Sequence, residues 1–231
     1  MSESLQKNAQ VGADGHIVRH RLLDRLLHWL SAASVLVLLG TSLLPIIGIK
    51  FEWVTIHWVA GLTLFAAIIL HVVRTVNRGT LGAMWYGFKD FKETLSDLAV
   101  FFRIKRDTPV NLPMKGGKYS AAQKIMHHGV AVLVVGAIVT GLLMMVKIDT
   151  PFWERDIYWL SDSTWGVVYV VHGAASLMLI STVMIHIYFA MRPEKRMYTR
   201  SMIKGWLTRQ EFDEHHDAHA WQVKDWQVKE Q

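Results

Sequence analysis

Residues 163–191 read STWGVVYVVHGAASLMLISTVMIHIYFAM, 29 consecutive positions without Asp, Glu, Lys or Arg. About 20 apolar residues carry a helix across the hydrocarbon core, and a longer run crosses with tilt. Within this run stand His172 and His186. Fourteen residues of α-helix rise about 21 Å and complete almost four turns, so the two imidazoles share a face and lie at two depths. A second uncharged run, Trp53–Val73, carries His57 and His71 with the same spacing. Ionisable groups so deep in a membrane are costly and mark function. Two pairs of facing imidazoles at two depths suit a pair of stacked haems.

The rest of the chain agrees with a membrane protein. Its 231 residues are 52% hydrophobic, and the mean hydropathy is positive, both high for a soluble domain of this size. Uncharged runs extend over Leu26–Ile49, Trp53–Val73, Ile125–Val146 and Ser163–Met191. Each is long enough to span a bilayer. These runs predict an all-α integral membrane four-helix bundle, one domain over residues 1–231, with spans at about 26–49, 53–76, 122–146 and 163–191 and a tail at 192–231. The first twenty residues are polar and read as lacking a cleaved signal peptide.

Lys and Arg are placed asymmetrically. Four lie in the N-terminal arm, 10 between the second and third spans and 8 in the tail, while the other two loops hold only Lys50, Lys147 and Arg155. Both termini and the long middle loop are therefore expected in the cytoplasm. The net charge of +6 is then an orientation signal, and nucleic-acid binding is not needed to explain it. The chain has no cysteine, which excludes a cysteine-ligated iron–sulfur cluster, a thiolate zinc site and covalent c-type haem.

With this topology, His57 and His172 form an outer layer, and His28, His71 and His186 an inner one. The outer layer makes one bis-histidine site without remainder; the inner layer holds one candidate too many. Gly61 stands one turn from His57, and Gly129, Gly136 and Gly141 line the third span, serving close helix packing or room for a macrocycle edge. His127 and His128 open the third span and read as interfacial. His215, His216 and His219 fall in a polar tail and read as solvated.

Residues Met84–Lys105 alternate aromatic or aliphatic side chains with charges at helical spacing, the pattern of a helix lying along the cytoplasmic surface. A Pro- and Gly-containing loop follows. Tyr119, Ser120 and Gln123 then reach the cytoplasmic boundary, where Ser120 suits an N-cap and the group could equally meet a quinone head.

The strings RLLDRLLHW, IHWVAG, GKYSAAQK and VVHGAASLMLISTVMIHIYFA resemble the di-haem cytochrome b (γ) subunits of membrane-bound respiratory formate dehydrogenases. The resemblance runs from about Arg19 to Trp221 and includes SMIKGW and HHDAHAW in the tail. It implies two non-covalent b haems, the outer held by His57 and His172, the inner by His28 and His186, with His71 a non-ligand. It also implies a quinone, menaquinone or ubiquinone, beside the inner haem at Tyr119, Ser120 and Gln123; Ser120 stands where the family usually has Asn. The formate chemistry would lie in a molybdenum or tungsten catalytic subunit outside the bacterial inner membrane, joined through an iron–sulfur subunit that supplies the clusters this chain lacks. Related subunits serve nickel–iron hydrogenases and thiosulfate reductases. A histidine-lined ion or metal transporter is the alternative from another class, but no intramembrane carboxylate supports proton coupling and no span is broken by an internal proline.

Overall fold

The computed structural model describes residues 15–88, 90–92, 94–95, 117–216 and 221. Four helices long and apolar enough to cross a membrane dominate: α1 (Leu22–Ile46), α2 (Trp53–Asn77), α3 (Ala121–Met145) and α4 (Asp162–Met191). They fall within a few residues of the expected spans. The main departure is the start of α1, which begins four residues before the uncharged run. Asp24 suits the first turn, where a carboxylate meets the positive end of the helix dipole. It accepts from Arg74 Nε at 2.5 Å and Arg78 Nη1 at 3.2 Å. The charges that end the apolar runs thus ride on helix extensions and neutralise one another.

The helix ends have local causes. Pro45 is the penultimate residue of α1, not a break within it. Beyond it Gly48, at φ 91°, closes a Schellman turn: Ile49 N–H donates to Leu44 O and Gly48 N–H to Pro45 O. Gly79, at φ 62°, ends α2 the same way, with Thr80 N–H on Thr75 O. Helix α3 opens with a capping box: Ser120 Oγ accepts from Gln123 N–H at 3.3 Å and Gln123 Oε1 from Ser120 N–H at 3.1 Å. In the segment read as an interfacial helix, residues 88, 90–92 and 94–95 are helical. Residues 96–105 lie outside the described residues, as do Lys89 and Glu93.

The described residues form two compact units. One comprises Leu26–His71 and His128–Phe189. Its core is a thin layer of Leu64, Val134 and Leu179, with Val35, Leu38 and Leu39 packed against it. The outward faces are apolar: on α4, Val170, Leu177, Met184 and Met191 repeat every seven residues and are all exposed. In water such a stripe would be a liability; lipid is its natural cover.

The other unit draws on described residues within Met1–Arg25, Val72–His127 and Ala190–Gln231. A two-residue ladder pairs β1 (Ile17–Val18) antiparallel with β2 (Trp206–Leu207). Flanking β2 are α5 (Arg196–Lys204) and α6 (Arg209–His215). Ile17, Met197, Leu207, Phe212 and Trp221 make its core. Arg19 is buried beside it, its guanidinium 4.3 Å from the Tyr198 ring, and burial pulls its pKa below the ordinary arginine value. Its Nη2 donates to Lys118 O at 3.0 Å and to Gln123 Oε1 at 3.5 Å.

Here the sequence reading needs correction. His216 is buried, not solvated. Its Nδ1 lies 2.8 Å from Gly117 O; a carbonyl only accepts, so that nitrogen carries the proton. Its Nε2 then accepts from Arg19 Nη1 at 3.4 Å. His215 is exposed as expected, and His219 lies outside the described residues.

Candidate functional site: two histidine pairs in one helical unit

Helix α4 positions His172 and His186 fourteen residues apart, and Leu179 stands midway between them. On α2, Leu64 likewise stands seven residues after His57 and seven before His71. The buried Leu64–Val134–Leu179 layer therefore separates two histidine levels with an apolar plug. Seven residues of helix make about 10 Å, so the plug holds each level about two turns away.

At the first level the His57 and His172 ring centres are 6.4 Å apart, with planes at 64°. At the second, His28 and His186 stand at 6.3 Å and 57°. His71, on the same helix as His57, has an exposed side chain. Two imidazoles holding one metal ion between them, each with a metal–nitrogen bond of about 2 Å and about 1.1 Å more to the ring centre, would stand about 6.2 Å apart. Both pairs meet that distance. Among the described residues no group of three or more His, Asp or Glu side chains could hold a bare ion. A pair of imidazoles is a donor set that would fit the iron of a b haem.

The first pair is held by hydroxyls. Thr41, buried on α1, has its Oγ1 2.8 Å from His57 Nδ1 and also donates to Val37 O at 2.8 Å. Thr140, buried on α3, has its Oγ1 2.9 Å from His172 Nδ1 and donates to Gly136 O at 2.6 Å. Neither threonine figured in the sequence reading. The available signal was depth: each hydroxyl falls at the level expected for the outer histidines, although Thr41 shares its run with Ser31, Ser34 and Ser42. Of the four glycines singled out on the spans, Gly141 lies against a histidine ring: a Cβ there would stand 3.4 Å from His172 Cε1. Gly61 serves packing, with Leu38 nearest, while Gly129 and Gly136 meet nothing within 4 Å. His127 and His128 lie in α3 with exposed side chains.

Tyr119, Ser120 and Gln123 belong to the other unit. Ser120 and Gln123 are engaged in the α3 cap, and Gln123 also reaches Arg19. The Arg19 guanidinium lies 5.7 Å from the Tyr119 ring.

Four membrane-capable helices with imidazoles drawn together between them suit a multi-pass membrane cytochrome of the b type, an electron carrier. Residues 19–205 match the prokaryotic cytochrome b561 family, and the chain belongs to that family, whose cofactor is haem b. The nitrate-inducible formate dehydrogenase cytochrome b556(Fdn) subunit of Escherichia coli (strain K12) is 23% identical over 216 residues, covering 87% of this chain and 88% of that protein. The formate dehydrogenase cytochrome b556 subunit of Haemophilus influenzae is 21% identical over 220 residues, covering 90% and 83%.

Proposed function

We propose that this chain is the membrane subunit of a formate dehydrogenase complex in the bacterial inner membrane, conducting electrons from an extracytoplasmic iron–sulfur subunit to a quinone on the cytoplasmic side. The observation that carries the proposal is the doubled imidazole pair: ring centres at 6.4 and 6.3 Å, on levels fourteen residues apart along α4. The relatives' names, and the resemblance of the chain from Arg19 to Trp221, supply the formate dehydrogenase complex.

In this reading His57 and His172 hold an outer haem, and His28 and His186 an inner one. Haem, when bound, would supply a one-electron iron couple, and two imidazoles holding each iron would favour electron transfer over oxygen chemistry. The protein's own contribution is placement and electrostatics. The four helices fix the ligand levels, and the leucine–valine layer keeps water from between them. Tyr119, Ser120 and Gln123 offer hydroxyl and amide groups to a quinone head, menaquinone or ubiquinone, with protons drawn from the cytoplasm. Charge moved inward across the membrane stores about 2.3 kcal/mol per elementary charge per 100 mV.

The test is haem stoichiometry in the purified complex. A pyridine haemochrome assay is expected to give two b haems per chain, both reduced by formate. His57→Ala should leave one. A single haem in the native protein, or two haems surviving His57→Ala, overturns the reading.

A further inference from the structure

The two outer ligands share an arrangement that ligation alone does not require. His57 on α2 meets a hydroxyl from α1, and His172 on α4 meets a hydroxyl from α3. In both cases the hydroxyl lies on Nδ1. In both, the threonine has a carbonyl acceptor in its own helix one turn back, Val37 O for Thr41 and Gly136 O for Thr140. A second carbonyl lies close by, Leu38 O at 3.0 Å and Ala137 O at 3.2 Å. A threonine hydroxyl has one proton. A backbone carbonyl, which can only accept, also lies within hydrogen-bond reach of each ring, Leu38 O for His57 and Ala137 O for His172; with the hydroxyl proton on a helix carbonyl, the threonine oxygen accepts from the imidazole as well. Both rings are thereby fixed as Nδ1–H tautomers, with the lone pair on Nε2.

We propose that Thr41 and Thr140 are positioning residues for the outer haem: each holds its histidine in the Nδ1–H tautomer, presents Nε2 to the iron and raises the basicity of the ring. The inference rests on the assignment of His57 and His172 as the outer ligands. A hydrogen bond accepted from Nδ1–H pushes electron density onto Nε2, as outer-sphere acceptors do for metal-bound histidines generally. A more basic ligand favours the ferric state and lowers the potential. Two such seats on opposite faces of one iron act in the same direction. Gly141, next to Thr140, completes the second seat by leaving the His172 Cε1 edge the space a Cβ would take.

The experiment is an optical redox titration of the purified complex, with low-spin ferric EPR, for the native protein and for Thr41→Val, Thr140→Val, Thr41→Ser and Thr140→Ser. Valine keeps the branched shape and removes the acceptor; serine restores it. In each valine variant the outer haem should become easier to reduce. The reduced-to-oxidised ratio at the native midpoint should rise by up to about tenfold, equivalent to about 59 mV for one electron. Its EPR signal should shift while that of the inner haem stays in place. Serine should return both signatures toward native. Loss of the outer haem in the valine variant with retention in the serine variant supports the same role. Two haems with native potentials and spectra in both valine variants overturn it, as does serine behaving like valine. A native protein without two haems, or an outer haem that survives His57→Ala, strikes the ligand assignment instead, so the two failures are distinguishable.

Discussion

At the scale of the residue, the inner histidine level shows what a side chain's depth leaves undecided. His28, His71 and His186 all fall at that level in the sequence, and an imidazole at the right height is chemically equal to any other. His28 lies 6.3 Å from His186, ring centre to ring centre, and the proposed set takes that pair; His71 stands close enough to His28 to act on it electrostatically. The repeated fourteen-residue spacing in α2 therefore carries one ligand of the proposed set, His57. His28→Ala is expected to remove the inner haem and leave the outer one, seen as half the pyridine haemochrome and loss of one EPR component. His71→Ala should retain both. The opposite outcome would transfer the ligand role to His71. The tail histidines give the same lesson in reverse. His215 and His216 are adjacent and equally polar, yet only His216 is buried, because Gly117 O and Arg19 satisfy both of its ring nitrogens.

At the scale of the element, helix boundaries obeyed charge and capping chemistry more than hydropathy. The apolar runs located α1 to α4, but α1 extends back over Asp24 because Arg74 and Arg78 compensate its charge. Ser120 and Gln123 illustrate two demands on one element. They cap α3, and they are the polar groups the proposed function offers to a quinone. The two roles separate in Gln123→Glu, since a carboxylate at the third helical position sustains the capping box but cannot donate as an amide does. Hydrogen exchange of the first turn of α3 is expected to stay near native, while haem reoxidation by a menaquinone analogue slows about tenfold, the loss of roughly 1.4 kcal/mol of interaction. Native reoxidation kinetics would remove Gln123 from the quinone assignment. The short elements β1, β2, α5 and α6 were not legible at all. A two-residue ladder has no periodicity to read, and the polar composition of the N-terminal arm and the tail conceals Ile17, Met197, Leu207 and Phe212, whose burial depends on one another.

At the scale of the whole molecule, the distribution of Lys and Arg makes the clearest statement. With 22 of the 25 cationic side chains in the two terminal segments, the loop between α2 and α3 and the helix ends that adjoin them, both termini are expected to be cytoplasmic. Green fluorescent protein fused after Gln231 should fluoresce, and alkaline phosphatase fused there should be inactive. Phosphatase inserted in the loop between α3 and α4, near Arg155, should be active. The reverse pattern would invert the outer and inner assignments of both haems. Partner identity also belongs to this scale: the names of the relatives come from complexes, and the subunits that co-purify with this chain decide the donor.

The sequence by itself determined the four crossings, the orientation signal, the absence of thiolate chemistry and the two histidine levels. These depend on composition and helical rise, which are local properties of the chain. The packing of the helices then added what no run of residues shows: the His28 and His186 rings come within 6.3 Å, Thr41 and Thr140 meet His57 and His172, and Arg19 and His216 are buried together. Each of these depends on the rotation of one helix or strand against another. The residues involved are 16 to 197 positions apart, and no one-dimensional pattern encodes that angle.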